Sequence, residues 1–127
     1  MMRFLLDTHV LIWYLEGNSN LAPRQRELVV NSDNEVLVSI ASLWEIAAKT
    51  SIGKLTISRS MTEILKQLAT QSIEILSIEP AHVLQVAKLP LHHRDPFDRM
   101  IIAQSKVGFL PVLTHDRTFL DYGIKLL

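Results

Sequence analysis

Four acidic residues stand out for where they fall along the chain. Asp7 closes the apolar run from Arg3, Glu45 lies about two turns into a helical pattern, Asp98 sits in the first turn of another, and Asp116 closes the run 111 to 116. Carboxylates brought to one place without cations between them repel and raise one another's pKa. A divalent cation resolves that repulsion. Ligation by Asp and Glu oxygens, in a chain without cysteine, suits Mg2+ or Mn2+ and not structural zinc. One or two such ions with open water positions activate a water and stabilise both oxygens of an in-line phosphoryl displacement. The chemistry implied is hydrolysis of a phosphodiester.

Each acid also has a purely structural explanation. Asp7 and Asp116 are suitable helix N-caps, as is Asp95, which is followed by Pro96 at the first helical position. Asp98 in a first turn serves the helix dipole, an effect of about 0.3–1 kcal/mol. Glu45 pairs with Lys49 at i, i+4, worth about 0.2–0.5 kcal/mol, or acts as the capping-box partner of Ser42. Two other functions compete with metal-dependent hydrolysis. A phosphatase using Asp7 as nucleophile wants a second Asp two residues on, where His9 stands. A non-catalytic protein-binding module, its acids serving as caps, fits the 48% apolar content.

The elements that must position these acids follow from periodicity. RFLLD (3 to 7) and VLVS (36 to 39) read as short buried strands, each followed by a helical segment: THVLIWYLE up to Gly17, and IASLWEIAAKTSI up to Gly53. A helix is expected from about Ala22 to Asn31. Residues 61 to 71 place Met61, Ile64, Leu65, Leu68 and Ala69 on one helical stripe opened by Ser60 or Thr62. IEILSI (73 to 78) reads as a third strand, and Glu79 to Lys88 as a helix with Val83, Val86 and Ala87 inward. The loop LPLHHR leads to a helix capped by Asp95 that runs to about Lys106, before Gly108. PVLTHD (111 to 116) gives a fourth strand, and IKLL (124 to 127) a short fifth at the edge. Alternating strands and helices imply an α/β chain with a parallel sheet of four to five strands covered on both faces, as one domain over 1 to 127. In such a sheet, ligands bind beyond the carboxyl ends of the strands. The acids converge on that edge.

Thirteen Lys plus Arg balance thirteen Asp plus Glu, so no overall positive field holds nucleic acid or an anionic membrane. A nucleic-acid partner must therefore be held locally. The cations near the acids are Lys49, Arg94, Arg99 and Arg117, with Lys49 and Arg99 also suited to ion pairs with neighbouring acids. His92 and His93 are adjacent, diverge, and have no Cys to join them, which reads as solvated loop histidines. Trp13, Tyr14 and Trp44 are assigned to the core or a dimer interface. No apolar run approaches the ~20 residues of a membrane helix, and the absence of cysteine fits a reducing compartment; the expectation is a soluble, unprocessed, cytoplasmic protein.

Four segments in order resemble the PIN domain, and within it the VapC-like toxin ribonucleases of toxin-antitoxin pairs. They are LLDTHVLIW with Asp7, SLWEIAAK with Glu45 and Lys49, LPLHHRDPFDRMIIAQS with Asp98, and PVLTHD with Asp116. The resemblance spans essentially the whole chain. It implies a three-layer α/β/α sandwich, a Mg2+- or Mn2+-dependent endoribonuclease acting on RNA, a homodimer, and inhibition by a small cognate antitoxin. By matching position, Asp7, Glu45, Asp98 and Asp116 become the metal ligands and catalytic acids. Thr8, Lys49, Asp95, Arg99 and Thr114 are candidates for supporting or substrate-contacting residues, Thr114 either hydrogen-bonding a ligand carboxylate or simply sitting in the strand.

Overall fold

The computed structural model describes residues 1–127. Strands β1 (Arg3–Leu6), β2 (Glu35–Ser39), β3 (Glu74–Leu76) and β4 (Val112–Leu113) form one parallel sheet in the order β3-β2-β1-β4. Around it pack α1 (Thr8–Glu16), α2 (Pro23–Val30), α3 (Ile40–Ser51), α4 (Met61–Thr70), α5 (Pro80–Lys88) and α6 (Pro96–Gly108), followed by a 3-10 segment, Arg117–Tyr122. None of the helices is long and apolar enough to cross a membrane.

Because side chains alternate across a strand, the sheet separates two apolar layers. Phe4, Leu6, Val36, Val38 and Leu113 join α1, α3 and α4 residues such as Val10, Leu11, Ile46, Ile64 and Leu68 on one side. Leu5, Leu37 and Val112 join Ile101, Ile102, Phe119 and Tyr122 on the other. This is an α/β/α sandwich. The strands read as continuous apolar runs and not as alternating ones because both faces are covered.

Several elements differ from the sequence expectation. β3 keeps three residues of the six expected and β4 two, and the fifth strand reduces to a single parallel bridge, Val112 with Leu126. On α5, Val83 and Ala87 face outward and Val86 is half-buried, while His82 turns in and accepts from the Glu79 amide. His82, and none of the three apolar residues expected, is the buried side chain of α5. On α4 only Ile64 and Leu68 are buried and Leu65 is exposed, so the stripe is narrower than the five residues expected. Helix α6 continues through Gly108, and Phe109 takes the left-handed cap at φ 53°. At Gly108 a Cβ would come within 3.2 Å of the Leu110 side chain, a tight contact.

Sheet order creates the site. The chain steps from β1 through β2 to β3 on one side, then crosses to lay β4 on the other side of β1. The carboxyl ends of β1 and β4 therefore form a switch point, where a crevice opens.

Candidate metal centre

Asp7 follows β1 and stands at the N-cap of α1, yet its side chain caps nothing. Instead Oδ2 accepts from Thr114 Oγ1 at 2.8 Å, across the switch point from the end of β4. Its Oδ1 is buried without a partner. Glu45 sits in α3, whose N-cap is Ser39 and not Ser42, so the capping-box explanation fails. Ser42 is occupied elsewhere: its hydroxyl accepts from Thr8 Oγ1 at 2.9 Å, tying the starts of α1 and α3 together. Glu45 Oε2 accepts from Lys49 Nζ, the i, i+4 pair expected, and Oε1 is buried without a partner.

Helix α6 starts as its sequence dictates. Asp95 Oδ1 accepts from Phe97 N at 2.8 Å and Asp98 N at 3.1 Å, so Asp95 is a working N-cap. That cap aims Asp98 into the crevice. Burial, then the neighbouring charges of Asp7, Asp95 and Glu45, push the Asp98 carboxyl up to about 7. Burial likewise raises Asp7, with Thr114 working against it. Asp116 caps the 3-10 segment, Oδ1 accepting from Thr118 N at 2.9 Å. Burial works to raise this carboxyl, but hydrogen bonds from His93 and Thr118 outweigh it and hold Asp116 below the usual range.

His93 corrects the sequence reading. Expected as a solvated loop residue, it is only 11% exposed at its side chain, and Nε2 lies 2.9 Å from Asp116 Oδ2. One ligand atom each from His93, Asp98 and Asp116 fall within 4.8 Å of one another. Arg99 does not form the ion pair considered for it; it donates instead to the carbonyls of Pro90, His93, Val86 and Leu89 at 3.0–3.4 Å. The guanidinium satisfies the open end of α5 and pins the loop that precedes Asp98. Arg99→Lys is expected to lower unfolding free energy by about 1–3 kcal/mol in urea titrations, since one ammonium cannot reach four carbonyls. An unchanged midpoint would show the clamp carries no stability.

Among the other cations, Lys49 is committed to Glu45, whereas Arg94 and Arg117 are exposed and form no ion pair. Trp44, one residue before Glu45, is 61% exposed and meets Phe97 edge-on at 4.9 Å. Tyr14 is buried and Trp13 packs against the core.

The donor set fits a hard divalent cation. Two buried carboxylate oxygens, on Asp7 and Glu45, have no hydrogen-bond donor, and leaving such groups desolvated and unpaired is costly. A family model for the PIN domain matches residues 4–125. The chain belongs to the PIN domain family.

Solved structures agree on the PIN fold. A VapBC2 chain from Rickettsia felis, bound to a promoter DNA fragment, matches with TM-score 0.74 at 14% identity over 99% of this chain and 98% of that one. DNA-bound VapBC from Salmonella typhimurium gives TM-score 0.71 at 21% identity, covering 100% and 98%. A toxin-antitoxin complex from Klebsiella pneumoniae gives 0.56 at 16% identity, covering 89% and 86%. No curated protein sequence matches this PIN domain at a significant level.

Proposed function

We propose that this PIN domain, spanning 1–127 as one unit, is the toxin of a toxin-antitoxin pair: a Mg2+- or Mn2+-dependent endoribonuclease of the VapC type, working in the cytoplasm. The observation that carries the reading is the pair of unpartnered buried oxygens on Asp7 and Glu45 beside the raised carboxyl of Asp98. Asp7, Glu45, Asp98 and Asp116 would hold the ion, which when bound supplies Lewis acidity and an activated water for in-line attack on phosphorus.

The remaining work belongs to the chain's own groups. Thr114 fixes the rotamer of Asp7, Lys49 balances the charge on Glu45, and Asp95 holds the helix start that presents Asp98. Arg94 and Arg117 offer exposed cations for RNA phosphates, which supplies locally what a net charge of zero does not. Exposed apolar side chains at Trp44, Val83, Leu84 and Leu91 favour coverage by a second copy or by the antitoxin.

Cleavage of total cellular RNA by purified protein with Mn2+ tests the reading, run beside a chelator control and Asp7→Asn. Cutting by the parent alone supports it. Equal cutting by Asp7→Asn overturns the metal site, and no cutting by a folded, inhibitor-free parent favours a binding module.

A further inference from the structure

His93 is held more firmly than a loop side chain needs to be. Its ring packs edge-on against Phe119 at 5.3 Å and lies 5.6 Å from Tyr122. The Tyr122 hydroxyl accepts from the amides of His92 and His93 at 3.1 and 2.5 Å, while Arg99 donates to the His93 carbonyl at 3.4 Å. The loop is gripped from both sides, which fixes where the imidazole points.

That direction is towards Asp116. Its Oδ1 is fixed by Thr118 N, so Oδ2 is the oxygen left to face the crevice, and His93 Nε2 meets it at 2.9 Å. Beyond Asp116 the chain of bonds continues: the Asp116 amide donates to Thr114 Oγ1 at 3.0 Å, and Thr114 donates to Asp7. His93 is thus the side-chain link between the loop that precedes Asp98 and the network that ends on Asp7. Its tautomer follows from the other ring nitrogen. Nδ1 is buried with no partner. A buried lone pair without a donor is tolerated better than a buried N–H without an acceptor, so the proton sits on Nε2 and is donated to Asp116.

We propose that His93 is a positioning residue for Asp116: its Nε2–H fixes the carboxylate within reach of Asp98, setting the strength with which the acidic site holds its cation. This rests on the metal-site reading above. The imidazole itself stays off the ion, because direct ligation through Nε2 would leave Nδ1–H buried with no acceptor, whereas metal-bound histidines ordinarily have one.

The test is Mn2+ titration of the full chain, followed by the resonance of free Mn2+, for the parent, His93→Ala and His93→Gln. Loss of an outer hydrogen bond of this kind costs about 10–100-fold in metal affinity, which is the fall expected for His93→Ala. His93→Gln, whose amide can donate to the same oxygen, is expected to recover most of it. Parent binding with unchanged affinity in His93→Ala overturns the positioning role alone. A parent that binds no Mn2+ overturns the metal site and this role with it. Ring 15N shifts of the intact parent provide a second measurement that needs no variant to fold. The Nε2–H tautomer is expected with and without Mg2+, and loss of that proton on adding Mg2+ would show direct ligation and overturn the proposal.

Discussion

Asp98→Asn is expected to fold, to melt higher than the parent in chelator above neutral pH, and to lose RNA cleavage by about 10²–10³-fold, the scale for removing one preorganised charge-stabilising group. The substitution keeps the size of the side chain and leaves the Asp98 amide bonded to Asp95. What it removes is a charge disfavoured first by burial and then by its neighbours Asp7, Asp95 and Glu45. Relief of that penalty stabilises the metal-free fold, while the cation loses a ligand. The two effects have opposite signs, so a variant that is merely misfolded cannot reproduce them. Paired melting curves and cleavage time courses check this, and retained cleavage at the parent's rate would falsify a role for Asp98 at the centre.

The positions of the four acids were readable because each is tied to a local pattern. Asp7 and Asp116 end apolar runs, Asp98 follows a Pro at a helix start, and Glu45 sits within an amphipathic repeat. Strand lengths were less readable. β4 has the composition of a six-residue strand, but only Val112 and Leu113 pair with β1, and the next residue, Thr114, bonds Asp7 through its side chain.

His93 and Arg99 were not readable for a different reason. Their partners lie at separations that no periodicity encodes, 23 residues to Asp116 and 6 to 13 residues back to the loop and α5 carbonyls. The sequence did hold one hint. In HHRDPFDR an imidazole stands two residues before a helix N-cap, on a loop with nowhere to go but over the strand ends. The inward turn of His82 is of the same kind, since apolar spacing cannot show that a histidine will bond the amide at its own helix start.

Metal should change both the stability of this protein and the way that stability depends on pH. Asp98 is raised to about 7 from an ordinary 3.8, and Asp7 is raised in the same direction, in both by burial first. A carboxyl whose pKa is higher in the fold binds its proton more tightly there than in the unfolded chain. Its contribution is full below the ordinary value and is lost as pH rises through the folded one. Asp116 is shifted the other way, but its contribution is lost only as pH falls below the ordinary carboxylate range. In chelator, the Asp98 contribution is therefore expected to lower the melting midpoint progressively from about pH 4 to about pH 7, the interval between its unfolded and folded values. Mn2+ reverses this, because the ionised carboxylates that destabilise the empty site are the form that ligates. At a free Mn2+ concentration of about 100 times the dissociation constant, binding adds ~2.7 kcal/mol, and the midpoint rises by on the order of 10 °C. The rise is expected to be larger at the upper pH, where fewer protons need leave. Melting curves at both pH values, with and without Mn2+, make the comparison; coincident midpoints across all four would remove the electrostatic basis for a cation between these acids.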